Sequence, residues 1–254
     1  MIEVCAIASG SNGNCYYIGN EHEAILVDAG INCKQIILRM QQRGLDPSKV
    51  QAVFLTHEHA DHIRGARVLS KKLNIPVFYT YGTWNKAHKS SKAPFYRYIQ
   101  INEPLTWGAF TIHAFAKNHD AGEPCSYRVD IEDESIGVMT DIGSVCNNVI
   151  EHFQQCSLVF LESNYDEQTL VNGSYPWYLK QRILSDVGHL SNAQAFDLVS
   201  THGNGILKTV FLSHLSGENN TPELAVEAFK SLHKQYRFIC TSRSEASEVL
   251  MVKE

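Results

Sequence analysis

Short apolar runs that each close on an acid or a histidine are the first pattern along the chain. Ala24–Val27 is followed by Asp28, Val53–Leu55 by Thr56 and His57, and Ile136–Met139 by Thr140 and Asp141. Leu158–Leu161 ends at Glu162, and Val210–Leu212 leads to Ser213 and His214. Runs this short, rich in Val, Ile, Leu and Phe, predict buried strands. One polar residue at a strand exit means little. Five strand exits with acid or histidine side chains point to one shared site, where loops at strand ends carry the chemistry.

Helices are predicted between the strands. Residues 33–43 and 64–73 mix apolar and basic positions. Ser191-Asn-Ala-Gln194 reads as a capping box, opening a helix that stops at Gly203. Thr221-Pro222 places an N-cap before a proline at the first helical position, with a helix to about Tyr236. Met1 to Leu26 is broken by Ser9-Gly-Ser-Asn-Gly-Asn14 and predicts a β-hairpin with a long turn. That Gly-rich segment lacks the Lys-Ser/Thr ending of a phosphate-binding loop, so a turn is the better reading. Strands dominate both halves, with helices after strands in each. The expectation is an α/β (α+β) fold with two packed sheets and helices outside, in one domain over residues 1–254.

Composition narrows the function. At 254 residues and 44% hydrophobic, the chain suffices for one well-packed core. A net charge of −5 gives no global basic field, so any nucleic-acid contact must come from a local patch. Seven scattered cysteines with no C-x-x-C pair argue against a disulfide framework and a thiolate zinc site. The N-terminus lacks a basic segment followed by an apolar one, and no apolar run is long enough to span a bilayer. A cytoplasmic setting without a membrane partner is expected.

The chemistry is concentrated in Thr56-His-Glu-His-Ala-Asp-His62. Neutral imidazole and carboxylate are the ligands that zinc, manganese and iron take. His57, His59, Asp61 and His62 can serve two metal centres from one loop. Three further candidates stand at strand or loop ends: His119, Asp141 and His214.

This series, H-x-H-x-D-H followed by a His, an Asp and a His, resembles the ligand set of the metallo-β-lactamase superfamily, and the likeness runs from Ser9 to about Asn220. It implies a four-layer αββα sandwich and two divalent metal ions, zinc or manganese, with iron also compatible. It would place His57, His59 and His119 on the first ion, Asp61, His62 and His214 on the second, and Asp141 between them. Two cations about 3.5–4 Å apart can lower the pKa of a shared water from about 15.7 towards about 7. His59 stands where the flavodiiron branch carries a carboxylate, which speaks against a role in reducing O₂ or NO.

Glu162 in Leu-Glu-Ser-Asn-Tyr-Asp and His189 in Gly-His-Leu-Ser-Asn are similar to a Glu–His pair of the tRNA 3′-processing endonucleases. The catalytic set so implied is Asp61, Glu162 and His189, with His189 serving the leaving oxygen. Only residues 120–140 lie where that branch carries its tRNA-gripping arm, and 142–213 leave no room for a β-CASP cap domain. The chain more closely resembles a short bacterial group, YycJ or WalJ. Shared motifs are Ala8-Ser-Gly-Ser-Asn-Gly-Asn14, Glu162-x-Asn-x-Asp166 and Tyr175-Pro-x-x-Leu-Lys-x-Arg182. The resemblance implies a 5′→3′ exonuclease acting on DNA that is single-stranded or has a free 5′ end.

Two stretches are candidates for the nucleic-acid contact. Gly82–Gln100 sets Lys86, Lys89, Lys92 and Arg97 among Trp84, Phe95, Tyr96 and Tyr98. It can equally be a solvated loop followed by an amphipathic strand. The second stretch offers Tyr175, Lys180 and Arg182; the two cations are two residues apart and would not share a helical face, so one of them is expected to reach substrate. A second enzyme reading is hydrolysis of a small ester, lactone or thioester. A third is a metal-binding regulatory protein without turnover, against which the complete candidate ligand set speaks.

Overall fold

The computed structural model describes residues 1–252. One sheet holds β1 (Ile2–Ala8), β2 (Cys15–Gly19), β3 (Ala24–Val27), β4 (Val50–Phe54), β5 (Val77–Tyr79) and β6 (Tyr96–Tyr98). The other holds β7 (Leu105–Trp107), β8 (Phe110–Ala116), β9 (Cys125–Ile131), β10 (Glu134–Met139), β11 (Leu158–Glu162), β12 (Thr209–Ser213) and β13 (Arg237–Cys240). A last strand, β14 (Leu250–Val252), returns to the first sheet beside β1. The strand orders are β14-β1-β2-β3-β4-β5-β6 and β13-β12-β11-β10-β9-β8-β7. Each sheet begins as an antiparallel meander and continues in parallel, from β3 to β6 in one and from β10 to β13 in the other.

The sheets face each other across one apolar layer that includes Tyr16, Phe54 and Phe78 from one side and Tyr127, Phe160 and Phe211 from the other. Helices cover the outer faces. α1 (Cys33–Gln42), α2 (Ala60–Ile63), α3 (Ala66–Leu73) and α4 (Tyr81–Lys86) accompany the first sheet. α5 (Asn147–Phe153), α6 (Glu167–Asn172), α7 (Trp177–Ile183), α8 (Asn192–His202) and α9 (Pro222–Ala228) accompany the second. Ile36, Met40 and Leu69 pack on Leu26 and Val53, while Val149, Phe153, Leu198 and Ala225 pack with Met139, Val159 and Leu161. The inner parallel strands are thus largely buried on both faces and for that reason read as apolar runs, whereas the edge strands β6 and β13 are exposed or half-buried.

The predicted hairpin, its Ser9–Asn14 turn and the Ser191–Gln194 capping box are all present, with Gly203 ending α8. The helix expected over 64–73 is present from Ala66 to Leu73; it starts after Gly65, whose N–H turns to the Ala29 carbonyl at 2.7 Å and separates it from α2. The helix expected to reach Tyr236 stops at Ala228 instead. Phe229 leaves helical geometry and is buried against Phe196 and Phe238, so the chain turns there and feeds β13 along the sheet edge. Among the described residues, no helix is long and apolar enough to cross a membrane.

Candidate metal centre

The five predicted strand exits converge at one edge of the sandwich. Asp28, Asp141 and His214 follow β3, β10 and β12 with φ of 62°, 54° and 56°. A positive φ is uncommon outside glycine, and its recurrence at three converging side chains marks the strained end of the scaffold. Gly30 is needed here because a Cβ at that position would lie 1.6 Å from the Asp61 carbonyl oxygen.

All seven candidate ligands lie in two adjoining groups. Nitrogens of His57, His59 and His119 lie within 4.8 Å of one another, as do ligand atoms of Asp61, His62, Asp141 and His214. His59 Nδ1 and His119 Nε2 are 3.3 Å apart. His62 Nε2 is 3.1 Å from Asp141 Oδ2, and His214 Nε2 is 3.5 Å from Asp141 Oδ1 and 3.6 Å from Asp61 Oδ2. His57, His62, His119, His214 and Asp141 are buried, while Asp61 and His59 sit at the rim.

Hydrogen bonds to the far side of four imidazoles set their orientation. The Nδ1 of His62 bonds Asp28 at 2.7 Å and that of His119 bonds the Gly188 carbonyl at 3.1 Å. His57 Nδ1 bonds the Thr56 hydroxyl at 2.9 Å, and that hydroxyl donates on to Asp28. His214 Nδ1 bonds Glu162 Oε1 at 2.8 Å. Each ring therefore turns Nε2 into the cluster. This is the tautomer a metal requires, with a carboxylate, carbonyl or hydroxyl behind the ring. His57 Nε2 and His214 Nε2 are buried without any hydrogen-bond partner. A buried orphaned nitrogen is costly, and a cation among these donors would satisfy it. The donor set therefore fits a divalent metal.

Charge in the cluster is divided unevenly. Burial pushes His57 well below the ordinary histidine range and His119 down to about 4. For His214, burial opposes protonation, but the charge of Asp141, the nearby Asp61 carboxylate and the bond to Glu162 outweigh it and raise the ring to about 10. His62 is raised likewise, against burial, by Asp141, Asp28 and Asp61. Burial raises Glu162, but His189 and His214 prevail and bring it to about 2. His57 and His119 thus offer neutral imidazoles, whereas His62 and His214 hold protons that a metal would displace.

Glu162 does more than the sequence implied. Oε1 accepts from both His189 Nδ1 and His214 Nδ1 at 2.8 Å, and Oε2 accepts from the N–H groups of Ile142 at 2.7 Å and Leu190 at 3.2 Å. It couples a candidate ligand to the candidate acid. Sequence reading placed Asp28 at a strand exit but gave it no role; here it stands behind both His62 and His57. Ser9 and Asn14 were also missed. Ser9 Oγ accepts from the His214 N–H at 2.8 Å, and Asn14 fastens the turn to the Asp61 carbonyl through its own N–H at 2.8 Å. Buried Lys117 donates to the Thr140 carbonyl at 2.7 Å, next to Asp141.

The expected substrate contacts separate. Lys86 and Lys89 are exposed at and after the end of α4. Lys180 needs correction. It is buried and its ammonium donates to the Val171 and Gly173 carbonyls at 2.7 Å, so it holds the α6–α7 connection together. Tyr175 packs with Leu170 and Ile183, and its neighbours Trp177 and Tyr178 are the exposed rings. Arg182 is exposed and paired with Asp120 at 2.7 Å, beside His119. Of the two cations, one faces outward, as the spacing implied.

Two facing mixed sheets with a His/Asp cluster at one edge define a metallo-hydrolase, and the chain belongs to the metallo-beta-lactamase superfamily, whose profile matches residues 8–153. Within it, the chain is similar to the exodeoxyribonuclease WalJ of Streptococcus pneumoniae serotype 2 (strain D39), 37% identical over 229 residues that cover 86% of this chain and 83% of the relative. It is also similar to the exodeoxyribonuclease YycJ of Bacillus anthracis, 36% identical over 222 residues covering 86% and 84%. The crystal structure of the metallo-beta-lactamase fold protein YhfI from Bacillus subtilis superposes with a TM-score of 0.75 at 18% identity, covering 98% of this chain and 100% of that one. That likeness concerns the fold.

Proposed function

We propose that the protein is a two-metal phosphodiesterase that removes nucleotides from the 5′ end of DNA. The observation that carries this is the Glu162–His189 pair set directly against the seven-residue cluster, with His189 Nδ1 2.8 Å from Glu162 and 3.9 Å from Asp141. The names of the two relatives support DNA as substrate. Two divalent ions at the cluster, zinc or manganese, would supply a water of lowered pKa and stabilise charge on the phosphoryl oxygens.

The chain's own residues divide the remaining work. Asp141 reaches both groups and would set the spacing of the ions. Asp61 at the rim would hold the second ion with His62 and His214. Glu162 keeps the His189 proton on Nδ1 and its charge stabilises the imidazolium, so Nε2 is the atom to protonate the departing alkoxide. Arg182 would exchange Asp120 for a backbone phosphate, and Lys86 and Lys89 would contact phosphates further along.

Metal-loaded protein should be incubated with single-stranded DNA labelled at the 5′ or the 3′ end, and in parallel with p-nitrophenyl esters. Release of labelled mononucleotide from the 5′ end first supports the proposal. Rapid ester turnover beside intact DNA would favour a small-ester hydrolase.

A further inference from the structure

The stretch from Tyr81 to Gln100 carries four basic residues and no acidic one, in a chain of net charge −5. It folds as α4, a turn and the edge strand β6, and its exposed rings include Phe95 and three tyrosines. Tyr81, Tyr96 and Tyr98 are 65%, 45% and 46% exposed. Rings in such numbers on a surface mark a site of contact.

The rings are ordered by one another. Tyr96 stacks on Trp84 with centroids 4.0 Å apart and planes at 19°. Tyr98 stands edge-on to Tyr96 at 5.7 Å and to Tyr81 at 5.7 Å. Trp84 is fixed below by Tyr79 at 5.1 Å, and the Lys92 ammonium lies 4.6 Å from its ring. Tyr96 and Tyr98 are two apart on a strand and share a face.

The patch is tied to the candidate metal centre. The Gly82 N–H donates to Glu123 at 2.7 Å, and the Gly122 N–H donates to Glu58 at 2.8 Å. Glu58 lies between His57 and His59, and Gly122 is three residues beyond His119. The Lys86 stem lies on Gly122, where a Cβ would come 2.6 Å from Lys86 Cγ. Two hydrogen bonds and one glycine contact thus link the rings to the loops that bear the first group of candidate ligands.

We propose that Tyr81, Tyr96 and Tyr98 form a stacking platform for the bases of an unpaired DNA strand, with Lys86 and Lys92 on its phosphates. Aromatic faces and interspersed cations suit single strands, whose bases are free to stack, and do not suit a closed duplex. The platform rests on the nuclease reading above and assigns that enzyme a single-stranded substrate.

Binding of metal-loaded protein to a short fluorescent oligothymidylate with phosphorothioate linkages, and to a blunt duplex of equal length, tests it by anisotropy. Tyr81→Ala, Tyr96→Ala and Tyr98→Ala should each weaken single-strand binding about tenfold and leave duplex binding within about twofold. The triple Tyr→Phe variant should bind as wild type, since the ring faces remain. Alanine variants that bind the single strand normally, or that lose strand and duplex in parallel, overturn the platform, as does a triple Phe variant as weak as the alanine ones. Cleavage of ordinary DNA is read separately. Wild-type protein that binds the strand without cutting it fails the nuclease reading and leaves the platform standing. Cutting with unchanged binding by the variants fails the platform alone.

Discussion

Asp28→Asn isolates the buried carboxylate behind the histidines. Asp28 is fully buried; Oδ1 accepts the Thr56 N–H at 2.8 Å, and Oδ2 accepts His62 Nδ1 at 2.7 Å and the Thr56 hydroxyl at 2.9 Å. Asparagine keeps the shape and tolerates the φ of 62°. It also keeps one oxygen for the Thr56 N–H, but it sets an NH₂ against His62 Nδ1. The ring must then accept there and carry its proton on Nε2, the atom 3.1 Å from Asp141 that a metal would need. Flipping the amide moves the mismatch onto the Thr56 N–H. Losing such a supporting partner costs about 10- to 100-fold in metal affinity, or about 1.4 to 2.8 kcal/mol. Competition of stripped protein against a chelator of known affinity reads the change directly. An Asp28→Asn protein that binds metal within about twofold of wild type would refute the claim that Asp28 sets the His62 tautomer.

Four further outcomes are expected. His189→Ala should lower kcat on DNA by about 10²- to 10⁴-fold while metal content is retained, measured by steady-state kinetics and elemental analysis of the same samples. Glu162→Gln should lower kcat and also weaken metal binding, because Oε1 serves His214 as well as His189. Lys180→Met should cost about 1–3 kcal/mol in urea unfolding and leave KM unchanged, whereas Arg182→Ala should raise KM and leave stability nearly unchanged. In the stripped protein His214, at about 10, and the raised His62 hold protons at pH 7 to 8, so metal loading in weak buffer should release protons and affinity should rise with pH through this range. An indicator dye that shows no proton release on loading would contradict this.

The site was more legible in the sequence than its support. Val53–Leu55 and Val210–Leu212 are apolar on both faces because sheet and helix cover them, so their histidines stood out at the strand ends. Arg237–Cys240 and Leu250–Val252 escaped notice because they are short edge strands, only partly buried, and neither runs into a candidate ligand. Asp28 escaped because its role lies in a bond to His62, 34 residues away, which no local pattern encodes. Lys180 and Arg182 are equivalent as letters. Only the path of the α6–α7 connection gives one a pair of carbonyls and leaves the other to Asp120. Which of Tyr175, Trp177 and Tyr178 closes the small cluster with Leu170 is likewise a tertiary matter.

Stepwise titration of stripped protein with manganese or zinc, following nucleotide release from 5′-labelled single-stranded DNA, is the most direct test of a paired-metal centre built by seven side chains. Activity should be absent without metal and emerge only as the second equivalent binds. Turnover by fully stripped protein, or full activity at a single equivalent, would contradict it.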